Sequence, residues 1–450
     1  MGRTRAPRQL TAADRDAAVD PGAVAAFLAT RLPELGGPFT IARLGEGQSC
    51  LTYLVSGTGW EVVLRRPPRG ELPRGAFDVV REHRVLSALA DAETGVPVPR
   101  PLALCEDPEV LGAPFYLMER VHGYSVRTTL PPALTGHADR RRMGEALVDV
   151  LVALRAIDAS AVGLEGHGRP DGYLRRQLRR MGEQREAVRG RALPELDAVG
   201  AWLAEHVPDS PPPALLHGDL KLDNVILAPS SPARVAAVID WELSTLGDPL
   251  ADLGWLLYFW REQGEEPFPI PVANVTHLPG FSRRAELRDR YERLTGARVP
   301  DAPWYAALGG WKIAVIMEAS YLRFRAGNAD HPTFVALEEG VGRLARRALA
   351  FAEGALTTYP GLTRPRRGAG APGAAVELGP ADRPGHVGPS PPGPPGRRPS
   401  PGRGRSGGPG ADDRGAWATR AGLGTRAVIE RRHRASPKTP EQGRFVVGGE

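Results

Sequence analysis

Two cysteines, Cys50 and Cys105, are all that the 450 residues carry. That excludes a disulfide framework and fits a reducing compartment. Lysine is nearly as scarce, with three residues against 55 arginines, a codon bias rather than a choice made site by site. Long apolar runs are missing too. The longest, "LGWLLYFW" at 253–260, is far short of the roughly 20 residues that span a bilayer. No signal-peptide apolar region is present, and Asp14 and Asp16 interrupt the arginine-rich start, against a transit peptide. The expectation is a cytoplasmic protein with no membrane partner.

The formal charge of +6 raises the question of nucleic acid, and its distribution answers it. Residues 361–450 hold 16 Lys and Arg against 7 Asp and Glu, leaving 42 against 45 in residues 1–360. The body is mildly acidic, so no nucleic-acid partner is expected. The basic segment also has 20 glycines and 14 prolines, a composition that cannot offset its ordering entropy by burial. A disordered tail over 361–450 is expected. A solvated extension or a reading-frame artefact of a GC-rich gene outweighs a basic tether as its explanation.

What remains is a body with two textures. "FTIARLGEGQ", "SCLTYLVSG" and "WEVVLRRP" read as three strands of an antiparallel meander with glycine-marked turns. "FDVVREHRVLSALA" spaces Val80, Val85, Leu86 and Leu89 as one helical face. The recurring prolines of "VPVPRPLALCED" forbid a helix, and "APFYLMERVHG" reads as a buried strand running into a glycine turn. From about residue 138 the pattern turns helical, beginning with "RRRMGEALVDVLVALRAID", and a second helical block spans about 302–353. The expected class is α+β, with a small β-rich N-lobe over 20–120 and a larger helical C-lobe over 121–358.

Within the C-lobe, "ALLHGDLKLDNVIL" sets a polar loop between two buried, strand-like ends, and "VAAVID" brings Asp240 to the end of the next strand. A hard cation such as Mg²⁺ needs oxygen ligands and keeps several waters, so Asn224 and Asp240 suffice beside phosphate oxygens. Asp219 is then available to take a proton from a hydroxyl, and Lys221 to neutralise a phosphoryl group in transfer. Phosphoryl transfer is mostly positioning and charge neutralisation, and this constellation supplies both.

"HGDLKLDN" followed by "IDWE" resembles the catalytic and metal motifs of the aminoglycoside phosphotransferase/choline kinase family, small-molecule kinases of protein-kinase-like fold. The spacing Asp-x4-Asn and then Asp matches the kinase catalytic loop and its metal-binding aspartate. His-Gly-Asp replaces His-Arg-Asp, so switching by activation-loop phosphorylation is not expected. The resemblance covers about 38–350 and implies ATP and Mg²⁺ as cofactors, with Asp219 and Lys221 catalytic and Asn224 and Asp240 on the metal. It places Ser49 of "RLGEGQSCLTYLV" in a phosphate-covering loop. Arg65 stands where most kinases carry lysine, with Glu82 as its ion-pair partner, and backbone from Glu119 to Val121 forms the adenine-contacting hinge.

"REHRVLSALA", "VPVPRPLALCEDPEVLGAPFYLMERV" and "DWELSTLGDPLADLGW" are similar to a narrower branch, the phosphotransferase domains of acyl-CoA dehydrogenase family members ten and eleven. That branch implies a small-molecule hydroxyl acceptor, hydroxyacyl-CoA foremost. No dehydrogenase segment follows, so a separate acyl-CoA dehydrogenase is the implied partner.

Plainer readings compete at each position. For His217 a structural role, bonding backbone, is stronger than general base. Asp248 and Asp252 are expected to pin the catalytic loop by accepting its N–H groups. Trp241, Trp255, Trp304 and Trp311 read most simply as core or lobe-packing aromatics, with a wall of the acyl pocket as the alternative for one of them, and the two cysteines as inert small hydrophobes. An antibiotic kinase of the aminoglycoside type and a nucleotide-binding pseudokinase scaffold are the alternatives. An aminoglycoside, being a polycation, would want an acidic acceptor pocket.

Overall fold

The computed structural model describes residues 19–45, 50–68, 77–92, 94–327 and 334–356. Ser49 and the segment 361–450 lie outside the described residues.

Asp20 opens helix α1 (Pro21–Arg31) by accepting the Gly22 N–H at 2.9 Å, and Pro21 takes the first position, where a missing N–H loses no bond. The sequence pattern predicts a single helix for this lobe. α1 escapes it because "GAVAAFLA" is apolar around the whole cylinder and carries no stripe of period 3.6.

Five strands follow: β1 (Phe39–Arg43), β2 (Leu51–Gly57), β3 (Trp60–Arg66), β4 (Pro101–Cys105) and β5 (Phe115–Glu119). They form one antiparallel sheet in the order β1-β2-β3-β5-β4. Alternate residues separate its faces. Val62, Leu64, Phe115 and Leu117 join Val24 and Leu28 of α1 in one apolar cluster. Val63, Tyr116 and Met118 point the other way, onto α2 (Val79–Asp91) and into the core of the C-lobe. Helix α2 is capped by Asp78 and buries Val79, Glu82, Val85, Leu86 and Leu89. Val79, three residues before Glu82 and so on the same face, takes the inward place assigned to Val80, which is only half-buried.

A short helix, α3 (Pro108–Leu111), joins β4 to β5. The C-lobe then consists of α4 (His137–Ala156), α5 (Tyr173–Ala187), α6 (Pro194–Glu205), α7 (Leu250–Phe259), α8 (Arg284–Thr295), α9 (Ala302–Arg325) and α10 (Leu337–Ala352). α9 packs between α7 and α10. The approach is so close that a Cβ on Gly254 would lie 2.3 Å from the Tyr305 carbonyl carbon.

Between α6 and α7 run four short strands. β6 (Ala214–Leu216) pairs with β9 (Thr245–Gly247), and β7 (Val225–Leu227) with β8 (Val235–Val238). Their pairing lays the 217–224 loop beside the turn that carries Asp240. Among the described residues no helix is long and apolar enough to cross a membrane.

Candidate active site

The loop after β6 is held from below. Gly218 has φ +85°, and a Cβ there would meet the Leu243 carbonyl oxygen at 2.5 Å, so the turn requires glycine. Asp252, on the first turn of α7, accepts the His217 N–H at 2.7 Å and the Gly218 N–H at 2.9 Å. Burial pushes the Asp252 carboxyl above its ordinary range, against the pull of His217 and those two N–H groups. His217 is fully buried. The Asp219 N–H can only donate, so Nδ1 of His217 accepts it at 3.2 Å, and Nε2 donates to the Ile239 carbonyl at 2.9 Å. Both ring nitrogens are thereby committed to backbone.

Three donors converge on the Asp219 carboxylate. The Trp255 indole N–H reaches Oδ1 at 2.8 Å, while Lys221 Nζ and Asn224 Nδ2 reach Oδ2 at 2.6 and 2.7 Å. An ionised carboxylate offers about four lone-pair sites, so Oδ1 keeps one for a further proton donor. Burial works against the Lys221 charge, but Asp219 and Asp223 outweigh it and hold the ammonium above its usual range. Asn224 also donates to the Asp219 carbonyl at 2.9 Å, which commits its Nδ2 and leaves Oδ1 for other use.

Asp240 follows β8 in a left-handed conformation, φ +70°. Its Oδ1 accepts from Arg65 Nη2 at 2.6 Å, and Arg65 Nε donates to Glu82 Oε2 at 2.8 Å. The other Glu82 oxygen accepts the Trp241 N–H at 3.1 Å. One planar guanidinium thus ties a strand and a helix of the N-lobe to the Asp240 turn, a span that a lysine ammonium in its place could not make by two directed bonds.

The structure therefore brings Asp219, Lys221, Asn224, His217 and Asp252 into one loop network, and Arg65, Glu82 and Asp240 into a second beside it. Asp240 joins the two electrostatically, since its carboxylate adds to the field at Lys221. Glu119 ends β5 with its N–H donated to the Arg100 carbonyl at 2.9 Å, and Val121 lies two residues beyond it. Asp248 departs from the expectation. It accepts the Leu250 N–H and the Tyr305 hydroxyl, both outside the catalytic loop, so Asp252 alone of the pair pins that loop. Burial pushes the Cys50 and Cys105 thiols up, in keeping with inert cysteines.

Neither packing nor an acyl-pocket wall, the two roles expected of Trp255, includes its bond to Asp219. The signal was present: Trp255 lies three residues after Asp252 on the same helix, hence on the same face. A second connection joins α2 to the C-lobe. Arg81, next to Glu82 on α2, donates to the carbonyls of His167 and Ser244 at 3.1 and 2.8 Å, and His167 Nε2 lies 3.2 Å from the Ser244 hydroxyl.

The donor set fits a hard cation. Among the described residues no three His, Cys, Asp or Glu side chains cluster as a self-sufficient metal site. Asn224 Oδ1 and the second oxygen of the one-third-exposed Asp240 carboxylate would complete a shell only with phosphate oxygens and water.

Residues 40–293 match the model of the phosphotransferase enzyme family, more than half of the chain. The chain belongs to that family. Acyl-CoA dehydrogenase family member 11 of Gallus gallus is 35% identical over 342 residues, 73% of this chain and 43% of that protein. The chain spans less than half the length of the curated relatives it matches. A solved structure from Ralstonia eutropha JMP134, named provisionally as an aminoglycoside phosphotransferase, is 31% identical. It covers 74% of this phosphotransferase and 98% of its own chain, with a TM-score of 0.63. The GDP complex of aminoglycoside 2′-phosphotransferase-IIIa, at 17% identity and TM-score 0.50, covers 72% of this chain and 97% of its own and shares the fold. The two-lobed kinase-like architecture expected from the motifs is the one these neighbours have.

Proposed function

We propose that this phosphotransferase is an ATP- and Mg²⁺-dependent small-molecule kinase whose acceptor is the hydroxyl of a hydroxyacyl-CoA. The observation that carries the reading is the Asp219 carboxylate, oriented by three donors with one lone pair of Oδ1 left over. In the proposed reaction the acceptor hydroxyl gives its proton to Asp219 as its oxygen bonds to the γ-phosphorus, and the bond from that phosphorus to the β-bridging oxygen breaks, releasing ADP. Bound Mg·ATP supplies the phosphoryl group and the positive charge that offsets its oxygens. Asn224 and Asp240 hold the cation, and Arg65, steadied by Glu82, contacts the α/β-phosphates. Lys221 screens the group in transfer. Backbone at Glu119 to Val121 takes the adenine, and Ser49 covers the phosphates. His217 and Asp252 keep the loop in register.

Two further facts support the assignment. The solved 2′-phosphotransferase relative in fold binds a nucleotide, GDP. The curated relatives carry acyl-CoA dehydrogenase in their names, which favours an acyl-CoA acceptor and an acyl-CoA dehydrogenase as partner in the pathway.

The test is incubation with ATP, Mg²⁺ and a panel of 3- and 4-hydroxyacyl-CoAs beside aminoglycosides, with products read by mass. A gain of one phosphate on a hydroxyacyl-CoA is expected. Phosphorylation of the aminoglycosides alone would replace this acceptor with the antibiotic class.

A further inference from the structure

Lys312 lies on α9, in "GGWKIAVIMEAS", and is one of only three lysines in the chain. Its ammonium sits 5.5 Å from the centroid of the Trp255 ring, within cation–π range. That indole is the one whose N–H holds Asp219 at 2.8 Å. Lys312 makes no ion pair or hydrogen bond with any described residue. Burial draws its ammonium below the usual lysine range; Asp252 and Asp219 oppose this, and Arg180 of α5 adds to it. Arg175, Arg179 and Arg180 stand exposed along α5. A half-buried ammonium with no carboxylate in ion-pair contact is poorly solvated and gains from an incoming oxygen.

The geometry points to Lys312 as the residue that selects the acceptor: its ammonium, seated on the face of Trp255, receives the acyl oxygen of the acceptor, thioester carbonyl or carboxylate, while Asp219 at the edge of the same indole takes the hydroxyl. This rests on the kinase reading above and adds the group that recognises the substrate. In a 3- or 4-hydroxyacyl chain the two oxygens are a few bonds apart, a span comparable to the step from the edge of an indole to its face. The same positive field disfavours a polycation, so the device also discriminates against aminoglycosides.

The test compares wild type, Lys312→Met and Lys312→Arg with hydroxyacyl-CoAs, the free hydroxy acids and a simple alcohol lacking the acyl oxygen. Methionine keeps an unbranched stem over Trp255 and removes the charge. We expect kcat/KM for the acyl acceptor to fall about 10- to 100-fold in the Met variant, the range of one charge-assisted hydrogen bond, chiefly through KM. Arginine should recover most of the loss, and KM for ATP should be the same in all three proteins. A loss with the thioester alone assigns the carbonyl, and a loss with the free acid assigns the carboxylate. A wild-type KM for both acyl acceptors in the Met variant, or an equal loss with the simple alcohol, overturns the assignment while leaving the kinase reading intact. Failure of the wild-type protein itself to phosphorylate any acyl acceptor overturns both.

Discussion

Removing the Asp252 carboxylate should loosen the catalytic loop without touching any group in it. Asp252 is 3% exposed and accepts two backbone N–H groups, from His217 and Gly218. In Asp252→Ala both donors lose their acceptor, and each unsatisfied buried donor costs about 1–3 kcal/mol. Against that sum of about 2–6 kcal/mol stands some relief, because burial already disfavours the Asp252 charge. The expected destabilisation is therefore about 2–4 kcal/mol, a large share of the roughly 5–15 kcal/mol that stabilise a typical domain. Asp252→Asn keeps one acceptor but turns its NH₂ toward the other N–H, so an intermediate loss is expected. Hydrogen exchange read by mass spectrometry is the assay, since the peptide covering 214–224 contains both released amides. Its exchange should accelerate in the order wild type, Asn, Ala. If the Ala variant exchanges in that peptide as slowly as wild type, the reasoning that ties the loop to α7 is refuted.

Two other outcomes follow from the same geometry. Arg65→Lys keeps the charge but cannot hold both Glu82 and Asp240, so urea denaturation should show a loss of about 1–3 kcal/mol, one charge-assisted bond; unchanged stability would contradict the bridging role. The His167 imidazole is held down to about 4 by its burial and by the Arg81 cation. The unfolded chain, titrating near the ordinary 6.5, takes up that proton first, so the contribution is whole above pH 6.5 and fades as pH falls toward 4, by up to about 3 kcal/mol. Denaturation of wild type and His167→Gln at pH 7 and pH 5 should show the wild type losing more stability over that step, and parallel losses would contradict the burial argument.

The catalytic loop could be read from the chain because its chemistry is local. Asp219 and Asn224 are five residues apart, and a tight turn between two short buried strands joins them whatever the rest of the fold does. Asp240 was legible for the same reason, as the polar end of an apolar strand. The Arg65–Glu82 pairing needed more, since 17 residues separate the partners, and family resemblance supplied it. Trp255 and Lys312 stayed hidden because both sit in apolar stretches where burial is the simplest account. Only the crossing of α7 and α9, made close by Gly254, reveals one indole shared between a carboxylate and an ammonium. Asp248 and Asp252 show the limit of spacing arguments, because two carboxylates four residues apart have different partners once one precedes the helix and the other sits on its first turn.

The most direct test of the central claim is the rate of phosphoryl transfer in Asp219→Asn at saturating Mg·ATP and acceptor. The carboxamide keeps the volume but cannot take the hydroxyl proton. Nucleotide affinity should stay close to wild type while turnover falls by about 10²- to 10⁴-fold, the contribution typical of a positioned general base. Turnover by the Asn variant at the wild-type rate would contradict that claim.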